Sequence, residues 1–286
     1  MLPLVEKYND FMGSTPNYND AKLILVGAPM DFTTSFRPGT RQGPQQIRLV
    51  SYGLEEYSVY QDRDLADCQY HDAGDVAIPF GNVGASLDII GQTIGQILTD
   101  QKLPFLLGGE HLVSLPAIDQ VAKHYPGLAL LHFDAHADLR PEYIGETHSH
   151  ATVIRRAVEL IGGHNVYQFG IRSGTREEFR YAKAHTNMFI DQLLEPLSQL
   201  VEQLQGRPIY VTLDIDVVDP AFAPGTGTPE PGGCSSKEII QAIHMLAPLN
   251  VVGMDLVEVN PLLDHSDRTA LLAAKLVREM ILQFAV

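Results

Sequence analysis

Short apolar runs alternate along most of the chain with stretches of helical period, and no other feature restricts the fold as strongly. The runs at 22–28 (KLILVGA), 103–107 (LPFLL), 128–133 (LALLHF), 165–171 (NVYQFGI), 188–190 (MFI), 208–215 (PIYVTLDI) and 250–257 (NVVGMDLV) read as buried strands. Between them Val83, Leu87, Ile90, Ile94 and Ile97 recur at threes and fours, and 151–161 and 191–204 are helical stretches too. Ser235 and Glu238 have capping-box spacing, and Asp267 can cap a final helix to about residue 284. Such alternation requires right-handed βα crossovers. The expectation is a three-layer α/β fold, a largely parallel sheet of about eight strands with helices on both faces. The 286 residues approach the upper limit for one hydrophobic core, and no linker or repeat interrupts them, so 1–286 reads as a single domain. The Gly/Pro-rich stretches 37–44 and 223–233 read as shaped loops.

In an open parallel sheet, ligands bind beyond the carboxyl ends of the strands. Costly polar residues concentrate there. Glu110 and His111 follow the run at 103–107, Asp134, His136 and Asp138 follow 128–133, Asp214 and Asp216 end 208–215, and Glu258 follows 250–257. In an extended chain, residues two apart face the same side, which directs Asp134, His136 and Asp138 to one point, and Asp214 with Asp216 likewise. Four carboxylates gathered without counter-charge repel each other and raise their pKa values. No lysine or arginine lies within either cluster, so two divalent cations are the economical solution. Imidazole and oxygen donors without thiolate suit Mn2+ best, with Mg2+, Co2+, Fe2+ or Zn2+ possible on ligand type.

A lone His111 or a lone D-x-D would carry no such conclusion; the conjunction does. His132 has the parity of the cluster but lies deeper in its strand and reads as a core histidine. Asp219, before Pro220, reads as a turn residue or a group behind the ligands. His71, His124, His164, His185, His244 and His265 have no clustered partners. A formal net charge of −15, with no basic patch, argues against nucleic acid. The N-terminal stretch lacks a signal-peptide pattern and no stretch has the length and apolarity to span a bilayer, so a soluble cytoplasmic protein without membrane association is expected. Cys68 and Cys234 have no metal-binding spacing and read as free thiols.

The motifs G-G-E-H (108–111), F-D-A-H-A-D (133–138), L-D-I-D-V-V-D-P-A-F-A-P-G-T-G-T (213–228) and D-L-V-E-V-N-P (255–261), in this order, resemble the ureohydrolases, the arginase and agmatinase family. The stretches GETHSHATVIRRA, FGIRSG and LVEVNPLLDHSDRTA are most similar to its bacterial agmatinase branch. Glu110 departs from the aspartate usual in arginases. The resemblance implies two Mn2+ per subunit, one held by His111 and Asp138, the other by His136 and Asp216, with Asp134 and Asp214 bridging. It implies attack of a metal-activated hydroxide on a guanidinium carbon, Glu258 binding the guanidinium, Asp138 supplying a proton to the departing amine, and His150 contacting substrate as proton shuttle, with His148 as competitor. It also implies a homotrimer or homohexamer. A small cationic guanidino substrate follows. The loop 139–152 has no asparagine, and its Glu142 and Glu146 suit the distal ammonium of agmatine, which would give putrescine and urea for polyamine biosynthesis. Arg140 cuts the other way: it suits a carboxylate-tailed guanidino acid, or simply pairs with one of those glutamates. The alternative substrate is accordingly a guanidino acid, arginine or guanidine. A two-metal phosphoesterase is the alternative of another class, disfavoured by the absence of a phosphate nest.

Overall fold

The computed structural model describes residues 5–7 and 9–285. Its strands are β1 (Val5–Glu6), β2 (Leu23–Ala28), β3 (Tyr57–Ser58), β4 (Arg63–Asp64), β5 (Tyr70–Val76), β6 (Leu103–Gly108), β7 (Ala129–Phe133), β8 (Val166–Ile171), β9 (Asn187–Ile190), β10 (Pro208–Asp214) and β11 (Asn250–Val257). Among the described residues, nine form one sheet in the order β1-β5-β2-β6-β11-β10-β7-β8-β9, in keeping with the expected largely parallel sheet of about eight, while β3 and β4 form a small antiparallel hairpin. Every pairing in the large sheet is parallel except the edge pair β1–β5.

Alternating strand residues feed two cores. Leu23, Leu25, Phe105, Leu107, Leu131, Val211 and Leu256 pack with α1 (Gly43–Ser51), α6 (Leu194–Leu204), α7 (Ser236–Met245) and α8 (Arg268–Phe284). Ile24, Val26, Leu106, Leu130, Tyr210 and Val252 pack with α2 (Val83–Thr99), α3 (Ser114–His124), α4 (Val153–Ile161) and α5 (Arg176–His185). This is the three-layer arrangement expected for βα units.

β5 escapes a hydropathy reading because its sequence, YHDAGDV, carries charge into the sheet. Arg48 from α1 neutralises it: Nε lies 2.7 Å from Asp72 Oδ2 and Nη2 lies 2.9 Å from Oδ1. Asp72 also accepts from Phe11 N at 2.8 Å, tying the N-terminal segment to the sheet.

Ser235 forms the expected capping box with Glu238. Asp267 does not cap α8. It stands at the cap position with φ 56°, and its carboxylate accepts instead from Gln46 Nε2 at 2.9 Å. Asp264 takes over, accepting from Thr269 N and Oγ1, each at 2.8 Å. Residues 150–152 form a 3₁₀ turn before α4, and α6 begins at Leu194 rather than 191.

His244, unclustered in sequence, has a partner in space. Its Nε2 lies 2.8 Å from Glu279 Oε2, which also accepts from Ser58 Oγ at 2.7 Å and Gln61 Nε2 at 2.9 Å, while Arg278 pairs with Oε1. Burial alone would raise the Glu279 pKa, but Arg278, Gln61, His244 and Ser58 outweigh it and bring it down to about 2. A depressed carboxyl stabilises the fold above its unfolded pKa and loses that contribution as pH falls through the folded value. Glu279→Gln is therefore expected to destabilise the protein by about 1–3 kcal/mol at pH 7, the cost of a weakened buried polar hub. In urea unfolding the wild-type advantage should shrink as pH falls from about 4.5 towards 2; a pH-independent difference would contradict this account.

Candidate metal centre

The four central strands β6, β11, β10 and β7 are neighbours in the sheet, so their carboxyl ends deliver side chains to one place. β6 is followed by Glu110 and a 3₁₀ turn that starts at His111; β7 leads into Asp134; β10 ends at Asp214 and turns into the 3₁₀ segment Ile215–Val217; Glu258 follows β11. The convergence does not come from extended parity. Asp138 has φ 52° and Asp216 sits in the 3₁₀ turn, its N–H donating to Asp214 Oδ1 at 2.8 Å. Turns, not a continued strand, aim the second and third members of each motif. Asp138 and Glu258, the latter with φ 65°, occupy the left-handed region that side chains other than glycine seldom adopt, a strain common at functional sites.

His111 Nδ1 lies 3.1 Å from Asp134 Oδ2, 3.2 Å from Asp138 Oδ2 and 3.5 Å from Asp214 Oδ2. His136 Nδ1 lies 2.9 Å from Asp216 Oδ2 and 3.6 Å from Asp134 Oδ1. Two donor groups thus share Asp134, each compact enough for a cation. His132 falls geometrically in the first group, but its Nε2 is engaged by Asp134 Oδ2 at 2.8 Å and its Nδ1 by Gln168 Nε2 at 3.2 Å, so no free donor remains. Asp214 Oδ2 carries no such commitment.

The electrostatics reflect the crowding of buried carboxylates. Burial, reinforced by Asp134, raises the Asp138 pKa to about 7; burial, with Asp216 and Asp134, raises Asp214 well above the carboxylate range. Burial alone would lower His136, yet Asp216 and Asp134 raise it to about 12. Crowded carboxylates contribute to each of these shifts. Two buried atoms, His111 Nδ1 and Asp216 Oδ2, nevertheless have no hydrogen-bond partner. Unsatisfied donors in a thiolate-free set of imidazoles and carboxylates fit divalent cations on chemistry alone.

Behind the donors stand groups that sequence reasoning missed. His111 Nε2 lies 2.9 Å from Thr212 Oγ1, which donates to Asp255 Oδ1 at 2.7 Å, and Tyr210 donates to Asp255 Oδ2 at 2.8 Å. His132, read as core, is fully buried and also orients Asp134. Such outer partners fix tautomer and ring direction. The available signal was a carboxylate inside an apolar strand, Asp255 in NVVGMDLV, and an amide, Gln168, inside NVYQFGI.

The donors open into a cavity of about 300 Å³ lined also by Ser35, Arg140, Tyr143, His150, Glu178 and Glu258. His150 is on its wall, whereas His148 is exposed outside it. Burial lowers the His150 pKa to about 4. Glu258 is held by its Oε1, which accepts from His111 N at 2.8 Å, and burial raises its pKa to about 8. Glu142 and Glu146 are exposed and do not line the cavity, so they are not placed to read a substrate tail; the loop turns outward at Ile144 and Gly145, both with positive φ. Arg140 pairs with neither. Its Nε lies 3.7 Å from Glu178 Oε2 and its guanidinium sits 4.7 Å from the Tyr143 ring centroid. Asp219 is a turn residue, accepting from Ala221 N at 2.8 Å and Gly232 N at 2.7 Å.

The chain is 56% identical to the agmatinase of Bacillus subtilis (strain 168), over 96% of each protein. It is 38% identical to the guanidinobutyrase of Pseudomonas aeruginosa, over 90% of this chain and 84% of that one. The agmatine ureohydrolase of Thermoplasma volcanium superposes with a TM-score of 0.88 at 32% identity, over 97% of this chain and 94% of that one. The arginase family model matches residues 21–283. With that match over nearly the whole chain and a site of this composition, the protein belongs to the arginase family.

Proposed function

We propose that this protein is a hydrolase that cleaves the guanidinium group of agmatine, giving putrescine and urea and so serving polyamine synthesis, with two Mn2+ per chain. The observation that carries the reading is the buried double donor group facing Glu258 across one cavity, in a chain 54–56% identical to several proteins named agmatinase. His111, Asp134, Asp138 and Asp214 would hold one ion, and His136 and Asp216, with the same bridging Asp134 and Asp214, the other. When bound, the ions supply an activated water at neutral pH.

The chain's own residues do the rest. Glu258, anchored by one oxygen to the His111 amide, presents its other oxygen to a guanidinium N–H, and burial strengthens that ion pair. A bound cation favours the ionised form of Glu258 against the burial that raises its pKa. Asp138 takes a proton from the attacking water and passes it to the departing amine. His150, kept neutral by burial, exchanges protons between the cavity and solvent. Support for a single catalytic unit over 1–286 comes from the family match at 21–283 and from core clusters that run from Phe11 to Ala285. No described helix is long and apolar enough to cross a membrane. A cytoplasmic homotrimer or homohexamer completes the proposal; light scattering of the purified protein tests its mass.

Arg140 on the cavity wall favours one second reading, a guanidino acid whose carboxylate tail meets that cation. Urea release from agmatine, guanidinobutyrate, arginine and guanidine separates the two. Agmatine is expected to be the preferred substrate, and Arg140→Gln to leave its kcat/KM within about threefold; a loss of about 10–100-fold on guanidinobutyrate, with guanidinobutyrate preferred by the wild type, would establish the second reading instead.

Metal binding should also appear in stability. Mn2+ at a hundredfold excess over its Kd is expected to stabilise the fold by about 2.7 kcal/mol per independent site, visible as a rise in Tm. Asp134→Ala should abolish both that rise and urea release, and a variant that retained full activity would remove Asp134 from the site.

A further inference from the structure

Resting on the reading that His150 moves protons, we propose that Glu110 and Thr33 are positioning residues that fix His150 over the donor cluster. Glu110 adjoins His111 but its carboxylate points elsewhere. Both of its oxygens accept from Thr33 N, at 3.0 and 3.2 Å, and the Thr33 hydroxyl donates to Oε2. With its proton committed there, Thr33 Oγ1 accepts from His150 N at 3.1 Å. His150 opens a 3₁₀ turn, and the first amides of such a turn have no partner within it. Thr33 supplies that partner.

The same loop reaches His150 by a second path. Tyr143 donates to Ser35 Oγ at 3.1 Å, and the Tyr143 ring packs edge-on to the His150 ring with centroids 5.6 Å apart. The loop itself is fastened to the end of β6: Gly109 N donates to Ala28 O at 2.9 Å and Glu110 N to Met30 O at 2.7 Å. A Cβ on Gly109 would lie 1.9 Å from Met30 O, so only glycine permits this approach. His150 Nδ1, by contrast, is buried without a hydrogen-bond partner. The Thr33 backbone also acts on the imidazole, opposing the effect of burial on its pKa, so Thr33 and Tyr143 together set the place of the ring. Glutamate rather than aspartate at 110 follows from reach, since one carbon–carbon bond less, about 1.5 Å, would forfeit the simultaneous contacts to Thr33 N and Oγ1.

The test is a double-mutant cycle on the full-length, Mn2+-loaded protein. Thr33→Val and Glu110→Asp are expected to lower kcat for urea release by about 10–100-fold while KM moves by less than about threefold and metal content stays at two ions per chain. Thr33→Ser should restore wild-type kcat. In a His150→Gln background, Thr33→Val should have no further effect. In 15N-histidine-labelled protein loaded with diamagnetic Mg2+ in place of Mn2+, the His150 ring signal, assigned by its loss in His150→Gln, should move in Thr33→Val and not in Thr33→Ser. Equal losses from Thr33→Val in both backgrounds, or an unmoved His150 signal, would overturn the positioning role. A wild type that released no urea would instead sink the hydrolysis reading, and the histidine signal would still decide whether the anchor exists.

Discussion

Uncompensated negative charge is the constraint on which the arrangement turns. Asp134, Asp138, Asp214 and Asp216 are all buried, and Glu258 joins them across the cavity. Among the described residues no lysine or arginine enters the cluster at that depth; Arg140, on the cavity wall, lies against Glu178 and Tyr143. The protein therefore supports a local environment that is unfavourable in its own right and becomes favourable when divalent charge arrives. The hydrogen bonds behind the cluster serve that purpose. Thr212, Asp255 and Tyr210 fix His111, while Gln168 and His132 fix Asp134, so the donors hold their directions despite mutual repulsion.

Rigidity of this kind needs a scaffold that does not yield, and the parallel sheet provides it. Each donor leaves a strand buried on both faces, and strand ends locked by two neighbours define the origin of every turn. The turns do the aiming. Left-handed backbone at Asp138 and Glu258 directs two carboxylates into the cavity that a continued strand would send elsewhere. The outer wall is built by the loops 31–35 and 140–150, tied to the end of β6 through Glu110 and to each other through Tyr143 and Ser35.

Much of this was legible in the sequence because hydrophobic burial and metal chemistry both leave periodic signals. Seven of the sheet strands follow from apolar runs, and each acidic cluster announces itself by following one. What escaped did so for identifiable reasons. β5 hides because its carboxylates are neutralised by an arginine 24 residues earlier, and β1 is only two residues long. Asp267 satisfies the local rule for a cap, but a tertiary partner, Gln46, claims its side chain, and Asp264 caps from further away. Glu142 and Glu146 lie in the right loop and face the wrong way, because two positive-φ residues between them reverse the chain. The separation of His148 from His150 likewise depends on a turn that composition does not encode. Sequence spacing pointed to residues that the fold brings together; the hydrogen bonds that orient them connect residues up to 147 positions apart.

The position of β11 carries a further consequence for how such a site comes into being. β11, the last strand among the described residues, inserts between β6 and β10, at the middle of the sheet. Until residues 250–257 are available, the sheet cannot close, and the facing edges of β6 and β10 remain unpaired and prone to adventitious strand addition. Parallel pairing at such sequence separation is slow, because chain entropy is lost before contacts repay it. His111 and Asp214 come within reach of one another only through that late closure, whereas Asp134, His136 and Asp216 are brought together by the direct pairing of β7 with β10. The two halves of the cluster are therefore assembled at different stages of folding, and only the finished sheet holds both.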